Sequence, residues 1–124
     1  MSQDPKVVYL DPSKLDELAE LADGDLEFVA DLLETYLDDA KPRATTLQDA
    51  LASGDKDSAA ALAHALKSGS ANIGASIAAQ HFENIEEAGR GDSMDSIHGT
   101  LENWATDFDK TVTAIESWLA ANPV

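Results

Sequence analysis

Cysteine is absent from the chain, which excludes disulfides and thiolate metal ligation and suits a reducing compartment. Aromatic residues are scarce, at 6% against 44% apolar overall, and Ala and Leu dominate, a balance that fits packed helices. Basic residues are few as well. Lys and Arg number 8 against 24 Asp and Glu, for a formal net charge of −16. A charge of this sign repels phosphodiester backbones and anionic lipid, so nucleic acid and acidic membrane surfaces are excluded as partners. No apolar run approaches the roughly 20 residues of a membrane span, and "MSQDPKVVYL" lacks the basic and apolar regions of a signal peptide. The expectation is a soluble cytoplasmic protein. At 124 residues, a single domain over 1–124 is expected, large enough to bury a core.

What is present is helical patterning from Asp11 onward. Asp11 suits an N-cap and Pro12 a first helical position, with Leu15, Leu18, Ala19 and Ala22 on one short stripe. After "ADGD" a second helix carries Leu26, Val29, Leu33, Tyr36, Leu37 and Ala40 on a single face. Pro42 predicts a kink or interruption, while Leu47 and Leu51 predict that helix resumes before Gly54. Asp55 or Asp57 caps a third helix. Asn72 and Gly74 mark a turn into a fourth, with Ile77, Ile85 and Ala88 inward, and Gly89 and Gly91 end it. Asp92 then caps a last helix whose Met94, Ile97, Leu101, Trp104, Phe108, Val112, Ile115 and Leu119 share one stripe, with Trp118 at its edge. Short connections predict antiparallel neighbours. The fold class expected is all-α: an antiparallel up-down four-helix bundle over about residues 12–120, with a short additional N-terminal helix.

One stretch departs from the general acidity. Between Ser58 and Phe82 there is no Asp or Glu, and Lys67 is the only formal charge. At 100° per residue, Ala59, Leu62, Leu66, Gly69 and Ile73 face the core and His64 points the other way. Ala60, Ala61, Lys67, Ser68 and Ala71 then surround His64 on an open face of small residues. Alanine is the best helix former, and an Ala-rich helix needs no further reason by itself. An exposed imidazole with a pKa near the ordinary value of about 6.5 is nonetheless a partly uncharged nucleophile at neutral pH. Lys67, one turn away, is placed to neutralise an arriving phosphoryl group, and no carboxylate is expected nearby to repel it.

The segment "AHALKSGSANIGA" resembles the signature of histidine-containing phosphotransfer (HPt) domains, roughly H-x-L-K-G-S-S-x-x-x-G, with His64, Leu66, Lys67, Ser70 and Gly74 at matching positions. "LQDALASGD" and "IEEAGRGD" resemble the flanking helix ends. The chain departs from the pattern at Ser68, where the family often has glycine, with Gly69 one place later. The resemblance implies a phosphocarrier of a multistep two-component pathway, without a kinase active site of its own. His64 is then the phospho-acceptor and Lys67 its charge partner. The implied partners are receiver domains of response regulators and hybrid histidine kinases, which supply the Mg²⁺, so no cofactor of its own is expected. Ala60, Ala61, Ser68 and Ala71 would contact the receiver. Gln80 joins them if the turn near Gly74 brings it level with Lys67. HPt bundles are usually monomers, and the start at Met1 favours a free-standing protein.

Other readings fit less well. A histidine kinase dimerisation domain places an acid after the histidine and a proline soon afterwards; here Ala65 follows and no proline occurs before Pro123. His64, His81 and His98 fall on three helices without metal-ligand spacing, so no metal site is expected. His81 reads as a satisfied core histidine and His98 as an exposed one. Trp104 and Phe108 read as core, and Arg90 as a cation at a helix C-terminus without a part in the chemistry. The alternative from another class is an acidic adaptor that binds protein through the Ala/Ser face without phosphorylation.

Overall fold

The computed structural model describes residues 8–91 and 95–123, and for residues 95–102 the backbone alone. Five helices follow in order: α1 (Pro12–Leu21), α2 (Leu26–Ser53), α3 (Lys56–Asn72), α4 (Ser76–Arg90) and α5 (Asp95–Ala121). Helices α2 to α5 form the up-down bundle, each packed on the next and α5 closing back on α2, and α3 with α4 is the most extensive pair. The short α1 lies against α2. Among the described residues there is no strand, and no helix is long and apolar enough to cross a membrane.

Local chemistry accounts for the helix starts. Asp11 accepts from the Ser13 N–H at 2.9 Å and Pro12 opens α1; Asp25 accepts from the Glu27 N–H ahead of α2. Asp55, not Asp57, caps α3 by accepting from the Ser58 N–H. Asp92 and Met94 lie outside the described residues, and so do the side chains of Ile97, His98 and Leu101. Of the kink or interruption expected at Pro42, the interruption does not occur: α2 runs unbroken through it. The carbonyl it deprives of a donor belongs to Asp38, four residues earlier on an exposed face, where water can replace the lost bond.

The core is aliphatic at its centre, with Val29, Leu33, Leu47, Leu66, Ile85 and Ile115 almost fully buried. Each such side chain contributes about 1.5–3 kcal/mol of transfer free energy. Phe82 packs on Trp104 and Phe108 with ring centroids 5.8 and 6.0 Å away, joining α4 to α5. Trp118, Val112 and Leu119 are half-buried at the edge. Between α2 and α3 the Tyr36 hydroxyl and the Ser70 hydroxyl share a buried hydrogen bond of 2.7 Å, and burial pushes the Tyr36 phenol up to about 12.

Two glycines set how α3 and α4 meet. Gly74 has φ +82° in the connection between them, and a Cβ there would lie 2.7 Å from Lys14 Cβ. The backbone of α1 docks on this turn, the Asp11 N–H donating to the Gly74 carbonyl at 2.9 Å. Gly89 does not end α4: the helix runs through it to Arg90, and Gly89 is buried. A Cβ on Gly89 would sit 3.0 Å from the Lys56 carbonyl oxygen and 3.1 Å from Ala60 Cβ, so the two helices touch almost backbone to backbone.

Gly74→Ala is expected to cost about 2 kcal/mol or more, since a left-handed backbone with a side chain is strained by about 1–3 kcal/mol and Lys14 must also move. Urea unfolding should show this as a lower midpoint with an unchanged slope. A loss under about 0.5 kcal/mol would mean the turn is not constrained as described.

Candidate functional site

His64 lies midway along α3, with its side chain 56% exposed. The antiparallel register of α3 and α4 places Glu86 beside it. Glu86 is a buried carboxylate, its side chain only 7% exposed, and three basic groups converge on it. His64 Nδ1 is 2.9 Å from Oε2, Arg90 Nη2 is 2.8 Å from the same oxygen, and Lys67 Nζ is 2.9 Å from Oε1. Oε1 is buried and receives no well-aligned hydrogen bond, so Lys67 reaches it as a point charge.

The Lys67 ammonium, with smaller help from His64 and Arg90, holds the Glu86 carboxyl below the usual carboxylate range against the opposing effect of burial. An ionised carboxylate only accepts hydrogen bonds, so the hydrogen on the His64 ring resides on Nδ1 and is donated to Oε2. The neutral ring therefore carries its lone pair on Nε2. Among the described residues no hydrogen bond to Nε2 is found, and the ring is open to solvent. The arrangement is a nucleophile fixed in tautomer and orientation, with two cations beside it.

This corrects the expectation of a site free of carboxylates. The acid-free stretch ends at Phe82, and α4 then returns alongside α3, bringing Glu83, Glu86, Glu87 and Arg90 to a groove shared with Lys67. Arg90, read from sequence only as a helix-end cation, belongs to the site. Neither Glu86 nor Arg90 was singled out for it; a turn at Gly74 puts the residues near 84 to 86 level with His64, and Arg90 joins as the i+4 partner of Glu86.

The other expected positions divide. Ala61, Ser68 and Ala71 are exposed, and Ser68, Ala71 and Gln80 line a second groove with Lys67 between α3 and α4. Ala60 is not on the open face: it is 5% exposed and packs on Gly89. The buried arc of α3 is wider than the aliphatic stripe suggested: α4 covers Ala60 at Gly89, Ser70 is buried against Tyr36 of α2, and Ala63 is buried as well. Gln80 sits six residues before Glu86, about 9 Å along the helix, and its amide donates to Asn84 at 3.1 Å. His81 is half-buried and donates from Nε2 to Asp107 Oδ2 at 2.7 Å. No group of three or more His, Cys, Asp or Glu side chains among the described residues is placed to hold a metal ion.

The family model of the Hpt domain matches residues 31–119, well over half of the chain. The protein belongs to the Hpt family. A crystal structure of histidine-containing phosphotransfer protein B from Pseudomonas aeruginosa PAO1 is similar to it, with 27% sequence identity, a TM-score of 0.78, and coverage of 90% of this chain and 95% of that one. Among curated protein sequences none gives a significant match. The Hpt assignment makes histidine phosphotransfer in a phosphorelay the chemical setting of the chain, and the helical bundle is the Hpt fold.

Because the folded-state pKa of Glu86 is depressed, the stability it contributes is complete above its ordinary value of 4.5 and is lost as pH falls through the lower folded value. Glu86→Gln is therefore expected to lower the urea midpoint clearly at neutral pH, with the gap to wild type closing by about pH 3. A gap that is the same at both ends would show that the loss is one of packing and not of charge.

Proposed function

We propose that the protein is a phosphocarrier in which His64 takes a phosphoryl group from an aspartyl phosphate on one receiver domain and passes it to the aspartate of another. The observation that carries this reading is the exposed Nε2 of His64, whose Nδ1 is held 2.9 Å from Glu86 while Lys67 and Arg90 pair with the same carboxylate. On the way in, the Nε2 lone pair attacks phosphorus, the N–P bond forms, and the acyl phosphate P–O bond breaks to leave the receiver's carboxylate. The Nδ1 proton stays in place, donated to Glu86.

Lys67 and Arg90 lie where their charge can offset that of the phosphoryl oxygens during transfer. Ala61, Ser68 and Ala71 give the receiver a face of small side chains with little to clash. Gln80 borders that face. The Mg²⁺ of the reaction would be held by the receiver, and this chain would act as a cytoplasmic monomer without a nucleotide site.

The test is phosphotransfer from a panel of phosphorylated receiver domains to wild type and to His64→Gln side by side. Acid-labile phosphate should appear on His64 of the wild type, located by mass spectrometry. The variant, still helical by circular dichroism, should lose labelling completely. Label on any other residue, or no transfer from any receiver to a folded wild type, would sink this reading and favour the adaptor.

A further inference from the structure

This inference rests on the phosphocarrier reading and concerns Glu86 once His64 carries phosphate. In the free protein Glu86 has three partners and a nearly complete loss of solvent. Two of those partners are long side chains with solvent on one side, free to turn to a second anion: Arg90, 63% exposed, and Lys67, 30% exposed. Both line the same groove with Glu86. A phosphoryl group on Nε2 brings between one and two negative charges within their reach, and charge-assisted bonds to phosphoryl oxygens are strong. When the cations turn to it, Glu86 is left as a buried carboxylate, which is costly without a counterion. One cation remains against it, the phospho-imidazolium whose Nδ1–H it accepts.

We propose that Glu86 is a charge-exchange positioning residue: it releases Lys67 and Arg90 to the phosphoryl group and in return keeps the proton on Nδ1 of phospho-His64, holding the phosphohistidine in its transfer-ready imidazolium form to higher pH than a neutral acceptor would. The outward step shows why the proton matters. The Nε2–P bond breaks, its electron pair returns to Nε2, and phosphorus bonds the acceptor aspartate oxygen. With Nδ1 protonated, the leaving group is neutral imidazole. Without that proton it would be imidazolate, a far poorer leaving group.

Glu86 contacts the ring, and the charged groups of the groove it lines are, among the described residues, Lys67 on α3 and Glu83, Glu87 and Arg90 on α4; α2 contributes none to this groove. Glu83 and Glu87 are exposed and screened by solvent, so their support for the imidazolium is weak. Glu86 is buried and in contact. Its charge, beyond its hydrogen bond, is what separates it from a glutamine in the same place.

The first measurement needs no receiver. Wild type, Glu86→Gln and Glu86→Asp are phosphorylated with phosphoramidate, and Nδ1 of phospho-His64 is titrated by ¹⁵N NMR. The wild-type midpoint is expected about one pH unit or more above that of Glu86→Gln, with Glu86→Asp, which keeps the charge, nearer to wild type. Transfer to any competent receiver should then be about tenfold faster for wild type than for Glu86→Gln at pH 8 and equal at pH 5. Equal midpoints, or an Asp variant that follows Gln, would overturn the proposal and leave the carrier reading intact. Should Glu86→Gln fail to fold, the wild type alone decides through its Arg90 guanidinium signals. These must shift on phosphorylation, and unmoved signals overturn the exchange. A His64 that resists phosphoramidate overturns both readings.

Discussion

A carboxylate almost without solvent access, Glu86, ties together the two helices that carry the site. Removing one partner of a buried charge is far costlier than removing an exposed one, so the groups around Glu86 are bound to it as a set. Their geometry depends on how closely α3 and α4 run. At Gly89 the separation is so small that a methyl group would press on the Lys56 carbonyl and Ala60, and Glu86 and Arg90 flank that contact by one turn or less on the same helix. A wider seam would move Oε2 out of reach of Nδ1, leaving the imidazole free to rotate and to choose its tautomer.

The overall charge of −16 and a phosphate-handling surface are compatible because the two act over different distances. Exposed acids distributed over α1, α2 and α5 are screened within about 8 Å at physiological ionic strength. Lys67, Arg90 and the His64 ring each contact Glu86, so at the site the local balance governs. The charged groups in contact there, two cations and one carboxylate with the imidazole neutral, sum to one net positive charge, while Glu83 and Glu87 of the same groove are exposed and screened.

Much of this was legible in the sequence. The α2 stripe from Val29 to Ala40, the part of the α5 stripe from Trp104 onward, the cap at Asp11, the turn at Gly74 and the exposure of His64 follow from spacing and residue type alone, whereas Leu26, expected on the inner face, is 40% exposed at the start of α2. Where expectation failed, the surroundings had prevailed over a local rule. Pro42 stays within α2 because the carbonyl it deprives of a donor faces solvent. Gly89 reads as a helix end by propensity, yet it lies inside α4 because the helix packing needs its lack of a side chain. Ala60 looks like surface on a wheel that cannot know the width of the α4 contact. Glu86 was hidden for a plainer reason: a glutamate among glutamates carries no local mark of being the buried one.

The signature segment itself divides between chemistry and framework. His64 and Lys67 reach the groove, but Leu66 is 2% exposed in the core, Ser70 is bonded to the buried Tyr36 hydroxyl, and Gly74 takes a left-handed turn against α1. These last three are spaced so that α3 is held from three directions: by the core, by α2 and by the α1-capped turn. A ring at the surface gains orientation only if its helix cannot roll, because a rotation of α3 by one residue's angle would carry Nδ1 away from Glu86. The buried serine and the left-handed glycine therefore act on the histidine at a distance, by fixing the rotation and register of the helix that presents it.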